Sequence, residues 1–524
     1  MAMVVKNNMS AVNTLNTLNT NSTALSKSLA KVSSGMKING AADDASGYAI
    51  SERMRVQIRG LDQANANTQN GSSMMKTAEG AVSSTVDILK TLKEKVISAA
   101  NDDKTDADRQ AIQKELDQSI DQINDNANIT YNGKYLVDGS HNSAVETATT
   151  TAFTNQALKE GTLGADGFTS LKDRNDQSLN IQNKDTVSLS FVKQGKTYTT
   201  SMEASKGGMR DLMSQANLEA LKQTVKDAGI DIETAGSAGK TAWDSFKNTF
   251  ESKASAWKDA ENEFDTETNY ETKWGSKRTT ADEKKQALIE HLEGATDIGG
   301  KDFSKTFKLA IDLRMDNASY IGKDKAGDSV YTADRAAGIS IHAANKGVEG
   351  QVSGITFSVT NTKGAVQKSV NAVLDNFSET IRAENHSEDN AITLQVGTKA
   401  NQSIRVGLTD MRAEALGLQS SNGATLNVST QKNANAAINV LDNALQKALD
   451  QQTTIGSIES RLEYTSTNLT TSSQNVQASE STIRDADMAK EMTNYTKNNV
   501  LLQAAQSMLA QANQSSSSVL SLLQ

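Results

Sequence analysis

From Val12 onward the apolar positions Val12, Leu15, Leu18, Leu25, Leu29, Val32 and Met36 fall three, four or seven residues apart, which is one face of a helix. Asn, Thr, Ser and Lys fill nearly everything between them. After a glycine-punctuated break, Met54, Leu61, Met75, Val82, Leu89 and Val96 recur on a seven-residue grid that only Thr68 interrupts. A heptad kept up over that length predicts coiled-coil-like packing. TDADRQAIQKELDQSIDQIND predicts a second, antiparallel helix, capped at Thr105 or Asp106, with an apolar face of Ile112, Leu116, Ile120 and Ile123. It runs into ITYNGKYLVDG, where Asn132-Gly133 between β-prone runs predicts a hairpin turn.

The far end mirrors the beginning. Ile438, Leu441, Leu445 and Ala448 open a helix, and Ile455, Leu462, Leu469, Val476 and Ile483 continue it seven apart. After Asp485 the pattern resumes at Met488, Met492, Val500, Leu501, Met508 and Leu509, then at Val519, Leu520, Leu522 and Leu523. Leucines this numerous on a helix without its own core call for a partner to cover them. Between about His141 and Asn390 the pattern changes: Val187, Leu189 and Phe191 alternate with polar residues as in a strand. Within that middle, Trp243, Phe246, Phe250, Trp257 and Phe264 share one helical face, which predicts a helical subdomain inserted into a β-rich one. The expected fold is α+β and multidomain. Both termini supply a long α-helical, coiled-coil-like core, and the β-rich and mixed α/β outer domains are inserted between them, so that the chain is hairpin-shaped.

Composition narrows what such a molecule does. Hydrophobic residues are 36% and aromatics 4% of 524 residues, so burial per residue is shallow, as suits rods packing against copies of themselves. A net charge of -9 repels phosphate backbones and argues against nucleic-acid binding. With no cysteine there are no disulfides, thiolate nucleophiles or soft metal sites, and with no proline long helices go unbroken. No stretch approaches the roughly 20 apolar residues that span a bilayer. The opening MAMVVKNNMSAVNTLNTL lacks the apolar core and cleavage site of a signal peptide, so export is expected to use another route.

Candidate chemistry is sparse. His141, His291, His342 and His386 stand singly, and His291 in EHLEG does not fit His-Glu-x-x-His. Neither a phosphate-binding loop nor a serine-nucleophile elbow is present. Asp102-Asp103 reads as a solvated acidic pair, the Trp243 to Phe264 stripe as core before sugar-binding surface, and KWGSKRTT around Lys277 and Arg278 as a solvated loop. In SSGMKINGAADDASGYAI, Asp43 and Asp44 precede a helix and can cap its orphan N–H groups, while Gly35, Gly40 and Gly47 permit a reversal between two helices. That pair reads as a joint. No catalytic, cofactor-binding or metal residues are expected, and no cofactor.

SSGMKINGAADDASGYAIS at 33–51 resembles the N-terminal signature of bacterial flagellin. ITYNGKYLVDGS at 129–140 resembles that family's hairpin, LTDMRAEALGL at 408–418 its return strand, and SRLEYTSTNLTTSSQNVQASESTIRDADMAKEM at 460–492 its C-terminal helix. The likeness covers residues 1–140 and 391–524. Related hook-filament junction proteins typically carry proline before the paired Asp, where this chain has Ala42.

The resemblance implies a non-enzymatic structural subunit of the flagellar filament, outside the cell, exported without a cleaved signal peptide and polymerised into a helical propeller for swimming. It implies inner-tube helices at 1–45 and 488–524, a helical rod with a β-hairpin at 46–140 and 391–487, a β-rich outer domain at 141–205 and 325–390, and a helical outermost subdomain at 206–324. Filament core contacts fall to Leu15, Leu18, Leu25, Leu29, Val32, Leu501, Leu502, Leu509, Leu520 and Leu523. The tube–rod junction falls to Gly35, Gly40, Asp43, Asp44 and Gly47. The rod seam falls to Met54, Leu61, Met75, Val82, Leu89, Ile455, Leu462, Leu469, Val476 and Ile483.

Expected partners are copies of the chain itself, an export chaperone at 488–524, and the filament cap and hook-junction proteins, but no membrane and no nucleic acid. A Toll-like receptor contacts many members through Arg-x-Arg-Glu-Leu and a later Glu. Here the run is Thr91-Leu92-Lys93-Glu94-Lys95, with Glu115 at the later position, so weak activation is expected. The competing expectations are that the middle is an adhesin for glycans or host surfaces, or that it is a filament-borne metalloprotease, against which the missing His-Glu-x-x-His counts.

Overall fold

The computed structural model describes residues 8–193, 195–234, 237–267, 272–298, 300–305, 307–308, 310–312 and 317–522. Its helices are α1 (Met9–Ser34), α2 (Ala45–Ala99), α3 (Asp106–Ala127), α4 (Met209–Asp227), α5 (Ala238–Thr266), α6 (Arg278–Glu293), α7 (Lys368–Leu374), α8 (Gln431–Arg484) and α9 (Met488–Leu522). Its strands are β1 (Thr130–Tyr131), β2 (Lys134–Tyr135), β3 (Ala152–Asn155), β4 (Thr186–Lys193), β5 (Lys196–Glu203), β6 (Ile311–Asp312), β7 (Asn317–Ala318), β8 (Tyr320–Lys323), β9 (Ser329–Tyr331), β10 (Gly338–Ala343), β11 (Val352–Thr360), β12 (Ser378–Ile381), β13 (Ile392–Gln395) and β14 (Ser403–Val406). The chain forms two compact units. One gathers Met1–Ser72, Leu394–Ile404 and Ser460–Gln524, and the other Ser73–Thr393 and Arg405–Glu459. Long terminal helices pair with one another, and the β-rich and mixed region is inserted between them.

In the terminal unit, Leu61 and Ala64 of α2 close on Leu469 of α8, with Val476 packed alongside. Thr68, the break in the heptad grid, is 1% exposed, and its hydroxyl donates to the Ala64 carbonyl at 2.8 Å. That bond removes the cost of burying a free O–H, so the seam continues through it. Polar contacts flank the apolar ones: Ser466 donates to Asn65 at 2.7 Å, Ser473 to Asp62 at 2.9 Å, and Arg55 pairs with Glu480 at 3.3 Å. Another stripe of α2 takes the 394–404 hairpin segment. A Cβ on Gly60 would lie 2.9 Å from Thr398 and one on Gly71 2.6 Å from Leu394, and Asn67 between them donates to the Gln395 carbonyl at 3.2 Å. Glycine inside a helix costs about 1 kcal/mol against alanine. Here it makes room for a strand.

In the larger unit, α3 lies antiparallel to α2, with Lys95 paired to Glu115 at 3.1 Å and Asn126 bonded to Ser84 at 3.1 Å. Thr105 caps α3 in a reciprocal box with Asp108, and Arg109 ties the turn by donating to the Ala99 carbonyl at 2.9 Å. Asn132 and Gly133 both have positive φ, 50° and 76°, as a two-residue hairpin turn between β1 and β2 requires. The segment 408–418 departs from the expected return strand. It is a buried turn, with Leu416 N–H bonded to the Arg412 carbonyl and Leu418 N–H to that of Ala413, and the strand β14 precedes it. Its apolar residues Leu408, Met411, Ala413, Leu416 and Leu418 are buried without strand alternation.

The inserted region holds a sheet ordered β12-β3-β10-β6, with β7 also on β10, and a second sheet ordered β11-β4-β5. β6 and β7 fall inside 206–324, the stretch expected to be helical. The Trp243 to Phe264 face is buried, and its Trp243, Phe246, Phe250 and Trp257 share one apolar cluster with Phe191, Ile339 and Phe357 of the sheets. Lys277 and Arg278 correct the solvated-loop expectation: a π-turn at Lys273–Lys277 leads into α6, and Arg278 pairs with Glu261 at 2.9 Å and Asp282 at 2.6 Å. Its guanidinium also sits 5.0 Å from the Phe264 ring, so the buried Glu261 carboxylate and an aromatic face hold it in the helix packing. β11 is bound to α8 by Asn439 and Asn443, which donate to the Ile355 and Ser353 carbonyls at 3.1 and 3.0 Å.

Behind β12, burial pushes the Glu379 carboxyl up to about 7 although Lys447 and Arg382 favour its charge. Its folded value lies above the unfolded one of 4.5, so the stability it contributes is present below pH 4.5 and lost as pH rises through 7. Glu379→Gln is expected to flatten the pH 4.5–7.5 fall in unfolding free energy by up to about 3 kcal/mol relative to the parent. Denaturant unfolding across that range measures it, and parallel profiles for parent and variant would refute the assignment.

Candidate functional site

The site is a joint and the helix pair that leaves it. α1 ends at Gly35, whose φ of 73° is the left-handed cap and whose N–H bonds to the Lys31 carbonyl. Two backbone bonds then tie this end of α1 to the end of α8: Lys37 N–H to the Arg484 carbonyl at 2.8 Å, and Ala486 N–H to the Gly35 carbonyl at 2.9 Å. Met36 and Asp485 thus form an antiparallel bridge between the ends of two helices.

Each joint residue has a distinct task. Asp43 accepts from the Asn39 N–H at 3.0 Å and so closes the turn. Asp44 accepts from the Ser46 and Gly47 N–H groups, both at 3.0 Å, and so caps α2. A side chain at Gly47 would force the capping Asp44 carboxylate, 2.5 Å from its Cβ, and the Ile38 methyl, 2.8 Å away, to shift. Gly40 has no such crowding. The other strand of the bridge repeats the device: Asp487 accepts from the Ala489 and Lys490 N–H groups at 3.0 and 3.2 Å and caps α9. Arg484 is buried between them. Its guanidinium lies 5.4 Å from the Tyr48 ring and donates to Glu52 at 2.6 Å, a bond that holds the Glu52 carboxyl below the usual range.

Beyond the joint, α1 and α9 run antiparallel, as the bonds from Asn8 to the Ala512 carbonyl (3.1 Å), Asn21 to the Leu501 carbonyl (3.3 Å) and Asn498 to Ser28 (3.1 Å) require. What this pair buries is small: Ser28 at 7% and Ala505 at 6% exposure are its deepest described side chains. Part of the large apolar surface stays outside. Leu15 is 45%, Leu29 52%, Val500 59% and Met508 62% exposed. Leu501 is also exposed, and Leu18, Leu25, Val32, Leu502 and Leu509 are half-buried. The Leu520 side chain and all of Leu523 lie outside the described residues. Threonine hydroxyls along α1 are already used: Thr14, Thr17, Thr20 and Thr23 donate to carbonyls four residues back at 2.7–3.0 Å.

The seam residues grade along the helices. Met75, Val82, Leu89, Ile455 and Leu462 are fully buried, Leu61 and Leu469 nearly so, and Met54, Val476 and Ile483 half-buried. Sequence reasoning missed Arg484, Glu52, Tyr48 and Asp487. Only Asp487, an Asp directly ahead of the resumed apolar pattern, carried a readable cap signal. Among the described residues no group of three or more His, Asp or Glu is placed to hold a metal ion. His291 instead stacks on Phe246 at 4.7 Å and bonds its carbonyl.

A family model of the bacterial flagellin N-terminal helical region matches residues 5–142, and one of the bacterial flagellin C-terminal helical region matches residues 438–523. A flagellin of Clostridium tyrobutyricum is 29% identical over 514 residues, 98% of this chain and 99% of that protein. One from Salmonella choleraesuis is 28% identical along the full length of both. One from Bacillus subtilis is 46% identical over 150 residues, 28% of this chain and 49% of that protein.

Asp44→Ala and Asp487→Ala are each expected to cost about 1 kcal/mol, whereas Asp→Asn, which keeps the acceptor oxygen, costs a few tenths. Amide exchange at residues 46–47 and 489–490 reads the loss locally. Equal effects of Ala and Asn at either position would show that capping is not its role.

Proposed function

This chain belongs to the bacterial flagellin family, and we propose from that premise which of its surfaces build the polymer. It is the structural, non-enzymatic subunit of the extracellular flagellar filament, and it assembles with copies of itself to drive motility. Among the described residues no helix is long and apolar enough to cross a membrane. The observation that carries the finer reading is that the α1–α9 pair fully buries only Ser28 and Ala505 among its described residues and leaves Leu15, Leu29, Val500, Leu501 and Met508 exposed. Burying an exposed leucine or valine stabilises by about 1.5–3 kcal/mol. Neighbouring copies laid against this pair collect that free energy at every subunit.

The inner-tube contacts are therefore Leu15, Leu18, Leu25, Leu29 and Val32 of α1 with Leu501, Leu502 and Leu509 of α9, continued by Leu520 and Leu523. The residues Gly35, Gly40, Asp43, Asp44 and Gly47 set the joint from which this pair leaves, and the Met54 to Leu89 and Ile455 to Ile483 heptads hold the rod. A self-association in which one patch meets a different patch on the next copy, with a rotation that does not close a ring, grows a helical filament. Before assembly, the 488–524 segment is the target of an export chaperone, and the filament ends meet the cap and hook-junction proteins. The outer domains at 141–390 are displayed to the surroundings.

Two outcomes test this. Val500→Asp with Leu501→Asp is expected to abolish growth from filament seeds while leaving the larger unit's unfolding transition unchanged, and seeded growth at the parental rate would overturn it. The Toll-like receptor reading makes a separate demand. Glu115 is held by Lys95 at 3.1 Å, and Thr91 and Lys95 stand where the family run has Arg and Leu. Thr91→Arg with Lys95→Leu is expected to raise reporter-cell activation at least about tenfold, equivalent to 1.4 kcal/mol of binding. No gain would remove this surface from the reading.

A further inference from the structure

β4 and β5 form a hairpin that brings Lys193 and Lys196 opposite each other in register. With Tyr198, Lys308, Ser420 and Asn422 they line a cavity of about 250 Å³ in the larger unit, far from any role in the terminal helices. One water needs roughly 10–15 Å³ of such space, so the cavity holds a small molecule.

Its charge is unbalanced. Three ammonium groups face it and one carboxylate, Asp227, which is already paired with Lys196 and accepts from Gln223 at 3.0 Å. Neither Lys193 nor Lys308 has an acidic or hydrogen-bonding partner among the described residues. Burial and the neighbouring Lys308 push the Lys193 ammonium down to about 8, the mark of a cation kept from water with a like charge beside it. Neutral donors complete the lining. Burial and Asp227 push the Tyr198 hydroxyl up to about 12, so it keeps its proton to donate. Asn422 takes the Ser420 hydroxyl on its side-chain oxygen, which leaves its NH₂ for the cavity.

We propose that this cavity binds a small oxyanion of the phosphate class, held by Lys193 and Lys308 and oriented by the Tyr198 hydroxyl and the Asn422 amide. Two lysines without counter-ions match a dianion, and charge-assisted N–H and O–H bonds to its oxygens are about twice as strong as neutral ones. The ligand is inorganic phosphate or the phosphate of a small ester, since the chemistry recognised is the same. Because Lys193 must be charged to hold it, affinity falls as pH rises through 8, with Lys196, Lys308, Tyr198 and Asp227 the other titratable groups facing the site.

Calorimetric titration of the full-length monomer with inorganic phosphate and with glycerol 3-phosphate, at low salt, tests this. One saturable site per chain is expected, weakened at least about tenfold by Lys193→Met or Lys308→Met, two- to fivefold by Tyr198→Phe, and severalfold between pH 7 and pH 9. Lys206→Met, at an exposed lysine paired with Glu203 outside the cavity, leaves it unchanged. Should Lys193→Met not fold, the exposed Lys308 and the isosteric Tyr198→Phe decide. Equal affinity for both probes identifies phosphate itself as the ligand, and tighter ester binding identifies a phosphorylated small molecule. Absence of saturable binding by either probe, or an equal loss in Lys206→Met, overturns the proposal. Seeded filament growth of the Lys308→Met chain at the parental rate keeps this outcome separate from the assembly reading.

Discussion

The Met36–Asp485 bridge is the constraint on which the terminal unit depends. Two backbone hydrogen bonds between residues far apart in sequence fix the end of α1 beside the end of α8. Once those points meet, α2 must return beside α8 and α1 must leave beside α9. The heptads then choose the face, and the Asp44 and Asp487 caps set where each new helix begins. Arg484 adds a charge at the one place where the strand-like crossing would otherwise stack only small groups. Its aromatic neighbour and its carboxylate come from the same first turns of α2, so the bridge and the helix start are stabilised together.

The two helical pairs beyond that crossing are built to opposite rules. Along α2 and α8 the large residues face inward and burial deepens from Met54 and Ile483 toward Leu61 and Leu469. Along α1 and α9 Leu18, Leu25, Val32, Leu502 and Leu509 are only half-buried, and Leu15, Leu29, Val500, Leu501 and Met508 are exposed. A helix pair usually gains its stability from an apolar face turned to its partner. Here the exposed leucines, valine and methionine leave part of that free energy ungained within the subunit.

Much of this was legible in the residues. Period-seven apolar positions identified both helices of the seam, the Thr105 cap and the Asn132-Gly133 turn were read correctly, and the strand alternation at Val187, Leu189 and Phe191 is that of β4. The joint was recognisable because Asp and Gly have few reasons to cluster ahead of a helix. What escaped depends on partners remote in sequence. Nothing in the local sequence tells why Gly60 and Gly71 stand inside α2, since the Thr398 and Leu394 side chains that fill the space above them are more than 300 residues away. Arg278 reads as solvent-exposed because its buried acid Glu261 and its aromatic neighbour Phe264 lie on another helix. The 408–418 segment misled because a run of apolar residues does not reveal whether its backbone pairs with a strand or with itself.

The threonines of α1 have one more consequence. Their hydroxyls are spent on the helix's own carbonyls, so each offers the outside mainly a methyl group and no unmet hydrogen bond. A surface satisfied in this way resists neither drying nor wetting, and it imposes no fixed pairing on whatever is laid against it. The sequence is polar letter by letter, yet the face it makes behaves like a lubricated bearing. A copy laid against that face meets methyl groups and a backbone already bonded to itself, so such a contact sets no hydrogen-bond register of its own.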